Sequence, residues 1–211
     1  MRGVFITFEG VEGSGKSTQA RLLVEHLSGR GLDCVLTREP GGTAIGDKIR
    51  DILLDPENRR MDGYTELFLY LASRNQHVRE KVMPALREGK VVISDRYAES
   101  SVAYQGGGRA IGFQPVSRLN RVATAALKPD LVIVVDVPVE VGRERKNGHA
   151  LDRLERERVE FHERVRSSYL RLARRAPKRM KVLDGTKPAD ELQREVRQLA
   201  EEVLTRKGLL R

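Results

Sequence analysis

The sequence predicts an α/β fold of three layers, in which helices cover both faces of a central, mostly parallel, five-stranded sheet. Apolar runs rich in β-branched residues recur five times along the 211 residues, and helical patterns separate them. Because strand and helix alternate throughout, we expect the strands to pair in parallel through crossover connections. In such folds, ligands bind at the carboxyl ends of the strands.

The five predicted strands are short apolar segments that we expect to be buried on both faces. They cover residues 3–9, 33–39, 90–95, 130–136 and, more weakly, 180–184. The first has about six apolar residues before a glycine-rich loop, and no small-residue cleavage site follows it. We therefore interpret it as a strand of the fold.

Five helical patterns fill the spaces between and after the strands. They cover roughly residues 16–29, 62–88, 113–127, 153–175 and 188–206. In the fourth pattern the apolar side chains recur at helical spacing. These core-facing residues are Leu154, Phe161, Val165, Tyr169 and Leu172.

The chain reads as a single domain covering residues 1–211, without an internal repeat or an interdomain linker. No apolar run approaches the 18 or so residues that span a bilayer, so we expect no membrane association. Two stretches, 55–66 and 143–153, resemble insertions at the ligand edge. They are either flaps that cover a ligand or ordinary surface loops.

The charge is strongly basic and mostly local. The chain has 39 Lys and Arg against 30 Asp and Glu, and residues 141–181 contain 14 basic and 6 acidic residues. This segment fits a highly charged phosphate ligand, and it also fits a nucleic-acid-binding ATPase. The single cysteine, Cys34, cannot form an internal disulfide and predicts a buried thiol in a reducing cytoplasm.

The stretch FEGVEGSGKSTQ, residues 8–19, satisfies the pattern G-x-x-x-x-G-K-[ST] between a strand and a helix. Glycines allow backbone N–H groups to converge on a phosphate at the helix N-terminus. Lys16 is expected to reach the β- and γ-phosphates, and the Ser17 hydroxyl to ligate Mg²⁺. The expected phosphate-binding residues are Gly10, Val11, Glu12, Gly13, Ser14, Gly15, Lys16, Ser17 and Thr18.

This loop is shared by GTP switches, motor ATPases and small-molecule kinases. The base-reading pattern N-K-x-D of GTPases is missing after the fourth strand, where the sequence is DVPVEVGRER. Two arginines, Arg38 and Arg96, stand at the ends of predicted strands, and Arg96 directly follows the acidic Asp95. Guanidinium groups at strand ends suit an anionic acceptor. The pattern therefore favours a kinase whose acceptor already carries a phosphate.

Five segments, FEGVEGSGKSTQ, TREPGGT, YLASR, DRYAESSVAYQGGGR and LDRLE, occur in this order and resemble bacterial thymidylate kinases over essentially the whole chain. The resemblance implies a P-loop nucleoside monophosphate kinase fold that phosphorylates dTMP to dTDP with ATP and Mg²⁺ for dTTP synthesis. It further implies a cytoplasmic homodimer, an acceptor region at about 38–75 and a mobile lid at about 142–154. No nucleic-acid partner is expected.

The resemblance also assigns roles in acceptor binding. Arg38 and Arg96 are similar to the residues that hold the dTMP phosphate, and Arg74 to the arginine that hydrogen-bonds a thymine carbonyl. The remaining acceptor contacts are Tyr70, where the family usually stacks a phenylalanine on thymine; Ser101 and Gln105 on the other polar edge of the base; and Tyr104 near the sugar 2′ position.

The catalytic residues implied by the resemblance are Lys16, Glu12, Arg96, Arg153 and Arg143, with Asp95 joining Ser17 at the metal. Because the phosphate loop contains no arginine, the chain is assigned to the type that carries arginines on the lid. Arg153 is the best match and Arg143 the next, whereas Arg145 and Lys146 are either lid cations or part of a solvated face. A kinase for another nucleoside or nucleotide remains the competing enzymatic interpretation.

Overall fold

The computed structural model describes residues 3–148 and 150–210, and the five predicted strands form one sheet. The strands are β1 (Val4–Glu9), β2 (Cys34–Arg38), β3 (Val91–Asp95), β4 (Leu131–Asp136) and β5 (Met180–Asp184). Their spatial order is β2-β3-β1-β4-β5, and all four pairings are parallel. The α/β prediction is confirmed, and the sheet is wholly parallel rather than mostly so. His149, within the predicted lid, lies outside the described residues.

Burial distinguishes the central strands from the edge strands. Strands β1, β3 and β4 are buried almost throughout, as predicted. The expectation is wrong for β2 and β5, where Leu36 and Val182 are exposed. An edge strand has a neighbour on one side only, so the helical layers cover it incompletely. For the same reason Cys34 on β2 is half-buried rather than buried.

Nine α-helices and two π-helical segments accompany the strands within the described residues. The helices are α1 (Lys16–Gly29), α2 (Ala44–Leu54), α3 (Gly63–His77), α4 (Met83–Arg87), α5 (Ala98–Ser101), α6 (Phe113–Ala123), α7 (Val139–Glu144), α8 (Val159–Arg175) and α9 (Ala189–Arg206). The first π-helical segment, Val78–Val82, joins α3 to α4, and the second, Val102–Gly108, continues α5.

The helical layer differs from the sequence prediction in several places, of which three are informative; the short helices α5 and α7 were not predicted either. Helix α2 was not predicted; it begins at Thr43, whose hydroxyl accepts a hydrogen bond from the Gly46 N–H at 3.0 Å. The second π-helical segment was also not predicted, because its three glycines are typical of a turn or loop. A Cβ at Gly107 would lie 2.0 Å from Ser168 Oγ, so these glycines permit close packing against α8.

The third difference concerns the start of α8, which begins at Val159 rather than at 153. The Asp152 carboxylate accepts hydrogen bonds from the backbone N–H groups of Leu154 and Glu155, both at 2.9 Å. This side chain stabilises a turn where the sequence pattern predicts helix.

The hydrophobic core lies on both faces of the sheet because side chains alternate along each strand. On one face, Ile6 and Phe8 of β1 pack with Leu23 of α1 and Val196 of α9. On the other face, one cluster joins β4 to α8, and another joins Phe5 to the segment around the first π-helix. Because all five strands are parallel, their carboxyl ends lie at one edge of the sheet, where loops and helix N-termini meet.

No helix within the described ranges 3–148 and 150–210 is long and apolar enough to cross a membrane.

Candidate functional site

A cavity of about 540 Å³ opens at the carboxyl edge of the sheet. Thirteen residues predicted from the sequence line it: Glu12, Gly13, Gly15, Lys16, Ser17, Thr18, Arg38, Tyr70, Asp95, Arg96, Ser101, Tyr104 and Gln105. Ten further residues line it that had no assigned role in the site, although Arg145 and Lys146 were considered as possible lid cations: Glu39, Pro40, Arg50, Leu54, Ser100, Arg145, Lys146, Asp152, Leu154 and Glu155. Several of these belong to the quoted segments TREPGGT and LDRLE, which were a usable signal.

The glycine loop forms the floor of one end of the cavity and leads into α1. No side chain among the described residues caps the α1 N-terminus, so its first backbone N–H groups are available to an anion. Lys16 Nζ donates to the Val11 carbonyl at 3.3 Å, across the mouth of the loop. Burial and the nearby Arg96 charge lower the pKa of Lys16. A bound polyphosphate would relieve both effects.

Gly13 and Gly142 bring the loop against the lid helix α7. Gly13 has φ +70°, and a Cβ there would lie 2.0 Å from the Gly142 carbonyl oxygen. Gly10 and Ser14, both predicted phosphate-binding residues, are buried beneath the loop and do not line the cavity. They shape the loop backbone rather than its surface.

Ser17 and Asp95 are brought together from α1 and the end of β3. The Ser17 hydroxyl donates a hydrogen bond to Asp95 Oδ2. The other carboxylate oxygen, Oδ1, is buried and has no hydrogen-bond partner among the described residues. A hydroxyl and a carboxylate oxygen with spare capacity are ligands that suit Mg²⁺, directly or through water. The donor set therefore fits the expected metal.

Arg96 occupies the centre of the cavity wall, directly after β3, in the left-handed backbone region with φ 74°. Its Nη2 donates to Glu12 Oε1 at 2.8 Å and to the Tyr104 hydroxyl at 3.1 Å. Its Nη1 donates to the Gly10 carbonyl oxygen at 3.1 Å. The guanidinium is thus oriented between the glycine loop and the acceptor end of the cavity.

Glu12 is the acidic counterpart of Arg96. Burial alone would raise the pKa of Glu12, but the positive charges of Arg96 and Lys16 outweigh it and lower the pKa. The Tyr104 hydroxyl also donates to Glu12 at 2.6 Å. Glu12 is therefore ionised at neutral pH and holds both side chains in place.

A second buried carboxylate, Glu9, lies behind Arg96 and was not singled out from the sequence. It accepts hydrogen bonds from the Tyr97 N–H at 2.8 Å, the Ser100 hydroxyl at 2.6 Å and the Tyr169 hydroxyl at 2.9 Å. Burial and the nearby Glu99 charge raise the pKa of Glu9 to about 7. Only the strand-end position of Glu9, next to the glycine loop, could have indicated it.

The acceptor end of the cavity contains Tyr70, Gln105 and Ser101, as the sequence predicted, together with Arg38 and Arg50. Arg50 donates to the Pro40 carbonyl oxygen at 2.9 Å. Tyr70 is buried except for the part that faces the cavity, and its hydroxyl makes no hydrogen bond within the described part of the chain. The ring is available for stacking on a flat ligand.

Arg74 does not line the cavity, which differs from the expected direct contact with a base. Its side chain is 1% exposed and donates to Glu39 at 2.6 Å and to Asn120 at 2.6 Å. It also donates to the Ser101 hydroxyl at 2.7 Å and to the Tyr97 carbonyl at 2.9 Å. Four of its five N–H groups are engaged. Arg74 therefore supports the cavity wall from behind Ser101.

The lid cations are also placed differently from the expectation. Arg153 is buried and does not line the cavity. Its Nη1 donates to Glu66 at 2.7 Å and its Nε to the Leu53 carbonyl oxygen at 2.9 Å. Arg143 lines a smaller cavity of about 130 Å³ beside it, together with Val11. Arg145 and Lys146 line the main cavity instead. Arg145 Nη1 lies 3.4 Å from the Gly13 carbonyl oxygen.

The physical reason for this difference is charge pairing in the interior. Glu66 is fully buried and requires cationic partners, and Arg153 is the residue of the lid segment that reaches it. Arg145, by contrast, is held within the described residues by two backbone carbonyls, at 3.4 and 3.0 Å, and remains close to the glycine loop.

Comparisons with known proteins show the family to which the chain is similar. A family sequence model described as thymidylate kinase matches residues 8–196. The chain is 48% identical to a thymidylate kinase of Symbiobacterium thermophilum, over 97% of this chain and 95% of the relative. It is 50% identical to a thymidylate kinase of Pelotomaculum thermopropionicum, again over 97% of this chain and 95% of the relative.

A solved structure gives the same result at the level of the fold. The chain superposes on a thymidylate kinase from Ehrlichia chaffeensis with a TM-score of 0.78 and 32% sequence identity, covering 95% of this chain and 99% of that one. The family match covers most of the chain, and the relatives match nearly all of it. The chain belongs to the thymidylate kinase family.

Proposed function

We propose that this protein is a dTMP kinase, which transfers the γ-phosphoryl group of ATP to dTMP and yields dTDP and ADP, in the cytoplasm. The single observation that carries the proposal is the position of Arg96. Its guanidinium lies in one cavity with the glycine loop and the acceptor residues and is bonded to Glu12 of the loop at 2.8 Å. An arginine at this junction can touch both a donor and an acceptor phosphate.

Transfer between two phosphates depends mainly on positioning and charge neutralisation. Lys16 and the α1 N-terminus would hold the donor β- and γ-phosphates, and Ser17 and Asp95 would hold Mg²⁺. When bound, the metal would supply positive charge that neutralises the charge developing during transfer. Arg96 would hold the acceptor phosphate, and Arg38 and Arg50 line the same wall. The acceptor phosphate is already an anion, so no strong base is needed.

The acceptor nucleoside would lie between Tyr70 and the helical segment that carries Ser101, Tyr104 and Gln105. The Tyr70 ring supplies a stacking surface for a thymine. The Tyr104 hydroxyl is held by Glu12 at 2.6 Å and by Arg96 at 3.1 Å, which supports a fixed ring that would lie beside the sugar of a bound acceptor. A ring fixed there leaves little room for a ribose 2′-hydroxyl and favours deoxynucleotides.

A lid at about 142–154 would complete the donor site. Because the loop contains no arginine, cations must come from elsewhere, and Arg145 and Lys146 line the cavity. We therefore propose a lid-arginine type of kinase in which Arg145, rather than Arg153 or Arg143, approaches the transferred group.

The test is ADP formation from ATP and Mg²⁺ in the presence of dTMP, dUMP, dCMP, dGMP or UMP, measured separately. The proposal predicts turnover that is strongly selective for dTMP. Equal turnover with all five acceptors, or ATP hydrolysis that none of them changes, would refute it. Hydrolysis stimulated by DNA or RNA would favour the nucleic-acid-dependent ATPase instead.

We also propose that two copies form a homodimer through α2 and α3. The two helices pack on each other, and both present large apolar side chains to solvent: Ile45 and Ile52 on α2, Tyr64 and Phe68 on α3. Apolar side chains grouped in this way are typical of an interface. Sedimentation equilibrium should give the mass of a dimer for the wild type and of a monomer for Phe68→Glu. A wild type that sediments as a monomer would refute the dimer.

A further inference from the structure

The Gln105 side chain is held from behind by a carboxylate. Its Nε2 donates to Glu66 Oε1 at 2.9 Å. Glu66 lies on α3, is 0% exposed and accepts further hydrogen bonds from Arg109 and Arg153. Glu66 was not among the residues predicted for the site, and its side chain does not line the cavity.

Glu66 carries a negative charge in this environment. Burial alone would raise the pKa of Glu66, but the hydrogen bonds and charge of Arg109, followed by Gln105 and Arg153, outweigh burial and lower the pKa. An ionised carboxylate only accepts hydrogen bonds. Of the two ends of the Gln105 amide, only the NH₂ group can therefore face Glu66.

The orientation of the Gln105 amide follows from this pairing. With the NH₂ group turned to Glu66, the carbonyl oxygen Oε1 is the end left for a ligand. Gln105 lines the cavity, and Oε1 makes no hydrogen bond with any residue in the described ranges. This part of the wall consequently presents an acceptor.

The neighbouring Ser101 has the opposite polarity for an analogous reason. Arg74 Nη1 donates to Ser101 Oγ at 2.7 Å, and an arginine has no acceptor. The Ser101 hydroxyl hydrogen is therefore left for a group in the cavity, which Ser101 also lines. A buried cation and a buried anion thus give two adjacent positions a donor and an acceptor character, respectively.

We propose that Glu66 is a positioning residue that determines base specificity. It holds the Gln105 amide with its oxygen toward the cavity. The site therefore favours a pyrimidine with an N3–H donor over one whose N3 is an acceptor. The inference rests on the proposed dTMP kinase activity. Thymine and uracil present an acceptor at O4 and a donor at N3, which complements Ser101 and Gln105. Cytosine presents a donor at its 4-amino group and an acceptor at N3. The Ser101 hydroxyl and the Gln105 carbonyl oxygen would then face groups of the same hydrogen-bonding type and remain unpaired.

The experiment measures kcat/KM for dTMP, dUMP and dCMP at saturating ATP in the wild type and in Glu66→Gln. The new amide can donate as well as accept, so it no longer imposes one orientation on Gln105. We expect kcat/KM for dTMP and dUMP to fall in parallel, while dCMP stays level or rises. The dTMP to dCMP ratio should fall about 10-fold, with KM for ATP unchanged.

Three further variants separate orientation from general loss of structure. Arg109→Gln removes a cation from the same cluster but leaves the Glu66–Gln105 contact, and should keep the wild-type ratio. Gln105→Leu should lower the ratio by itself, and adding Glu66→Gln to it should change the ratio no further. If Glu66→Gln does not fold, the paired variant Glu66→Gln/Arg153→Gln, which removes a buried charge together with its partner, is measured in its place.

An unchanged dTMP to dCMP ratio in a folded Glu66→Gln protein would overturn the inference and leave the proposed function intact. A wild type that turns over dTMP and dCMP equally would instead overturn the proposed function, on which the inference depends. The two failures are therefore distinguished by the wild-type measurement alone.

Discussion

The hydroxyl of Tyr169 lies 3.2 Å from Nη1 of Arg96. The two residues are 73 positions apart in the chain, and the contact joins α8 to the end of β3. The same hydroxyl donates to Glu9 at 2.9 Å, and it lies 2.8 Å from the Ser100 hydroxyl. Nη1 of Arg96, which also donates to the Gly10 carbonyl oxygen, is thereby held by a buried hydroxyl of α8.

Replacing Tyr169 with phenylalanine should therefore lower catalysis without removing a residue that touches substrate. A hydrogen bond to a charged group contributes about 1.5–3 kcal/mol, so we expect kcat/KM for dTMP to fall about 10-fold or more, with KM for ATP nearly unchanged. Tyr97→Phe is the matched control, since that hydroxyl donates to the Leu127 carbonyl oxygen at 3.3 Å, lies beside Thr124 and makes no hydrogen bond to Arg96 within the described residues. Equal losses in both variants would show that Tyr169 contributes stability alone.

Stability should depend on pH through Glu9. Its pKa is raised from 4.5 to about 7 in the folded protein, so the folded state binds more protons than the unfolded state between these values. The stabilising contribution, about 3 kcal/mol, is fully present below pH 4.5 and is lost as pH rises through 7. Urea unfolding at pH 5 to 8 should show this decline in the wild type, and Glu9→Gln should flatten it. Parallel pH profiles for the two proteins would contradict the assignment.

Asp95→Asn should weaken metal use specifically. The buried Oδ1 atom has no hydrogen-bond partner in the described structure, and Oδ2 accepts from the Ser17 hydroxyl. Loss of the negative charge should raise the Mg²⁺ concentration needed for half-maximal activity about 10-fold, with little change in KM for dTMP. A Mg²⁺ titration at saturating nucleotides measures this. An unchanged titration curve would place the metal elsewhere.

Substitution of the two lid arginines should affect different properties, catalysis for Arg145 and stability for Arg153. Arg145→Ala should lower kcat about 10-fold or more and leave the unfolding free energy nearly unchanged, because its hydrogen bonds in the described part of the chain go to backbone carbonyls. Arg153→Met should instead destabilise the fold by about 3 kcal/mol, because it leaves the buried Glu66 with one cationic partner fewer. Steady-state kinetics and denaturant unfolding of both variants test this assignment. The opposite pattern would restore Arg153 as the lid cation.

Tyr70 should act through its ring and not through its hydroxyl. The hydroxyl has no partner in the described part of the chain, and burial, together with the Glu66 charge, raises the pKa of Tyr70, so it stays neutral. Tyr70→Phe should change KM for dTMP less than about threefold, whereas Tyr70→Ala should raise it more than about tenfold by removing the stacking surface. A large effect of Tyr70→Phe would assign the hydroxyl a substrate contact.

The sequence by itself determined the elements that depend on local pattern. The strands and the glycine loop follow from short apolar runs and a tight motif, and both are found where they were predicted. The grouping of Ser17, Asp95 and Arg38 also followed, because parallel strands bring their carboxyl ends to one edge.

Tertiary structure alone decided the partners of the buried charges. Tyr169 was predicted as a core side chain, and its ring is buried as expected, but the crossing of α8 over α5 brings its hydroxyl to Arg96. The buried Glu66 carboxylate forms ion pairs with Arg153 and Arg109, which come from distant segments of the chain. Arg145 lies outside this cluster and lines the cavity. Such pairings join residues tens of positions apart. The partners depend on which charged side chains the tertiary packing buries together, and a local sequence pattern does not contain that information.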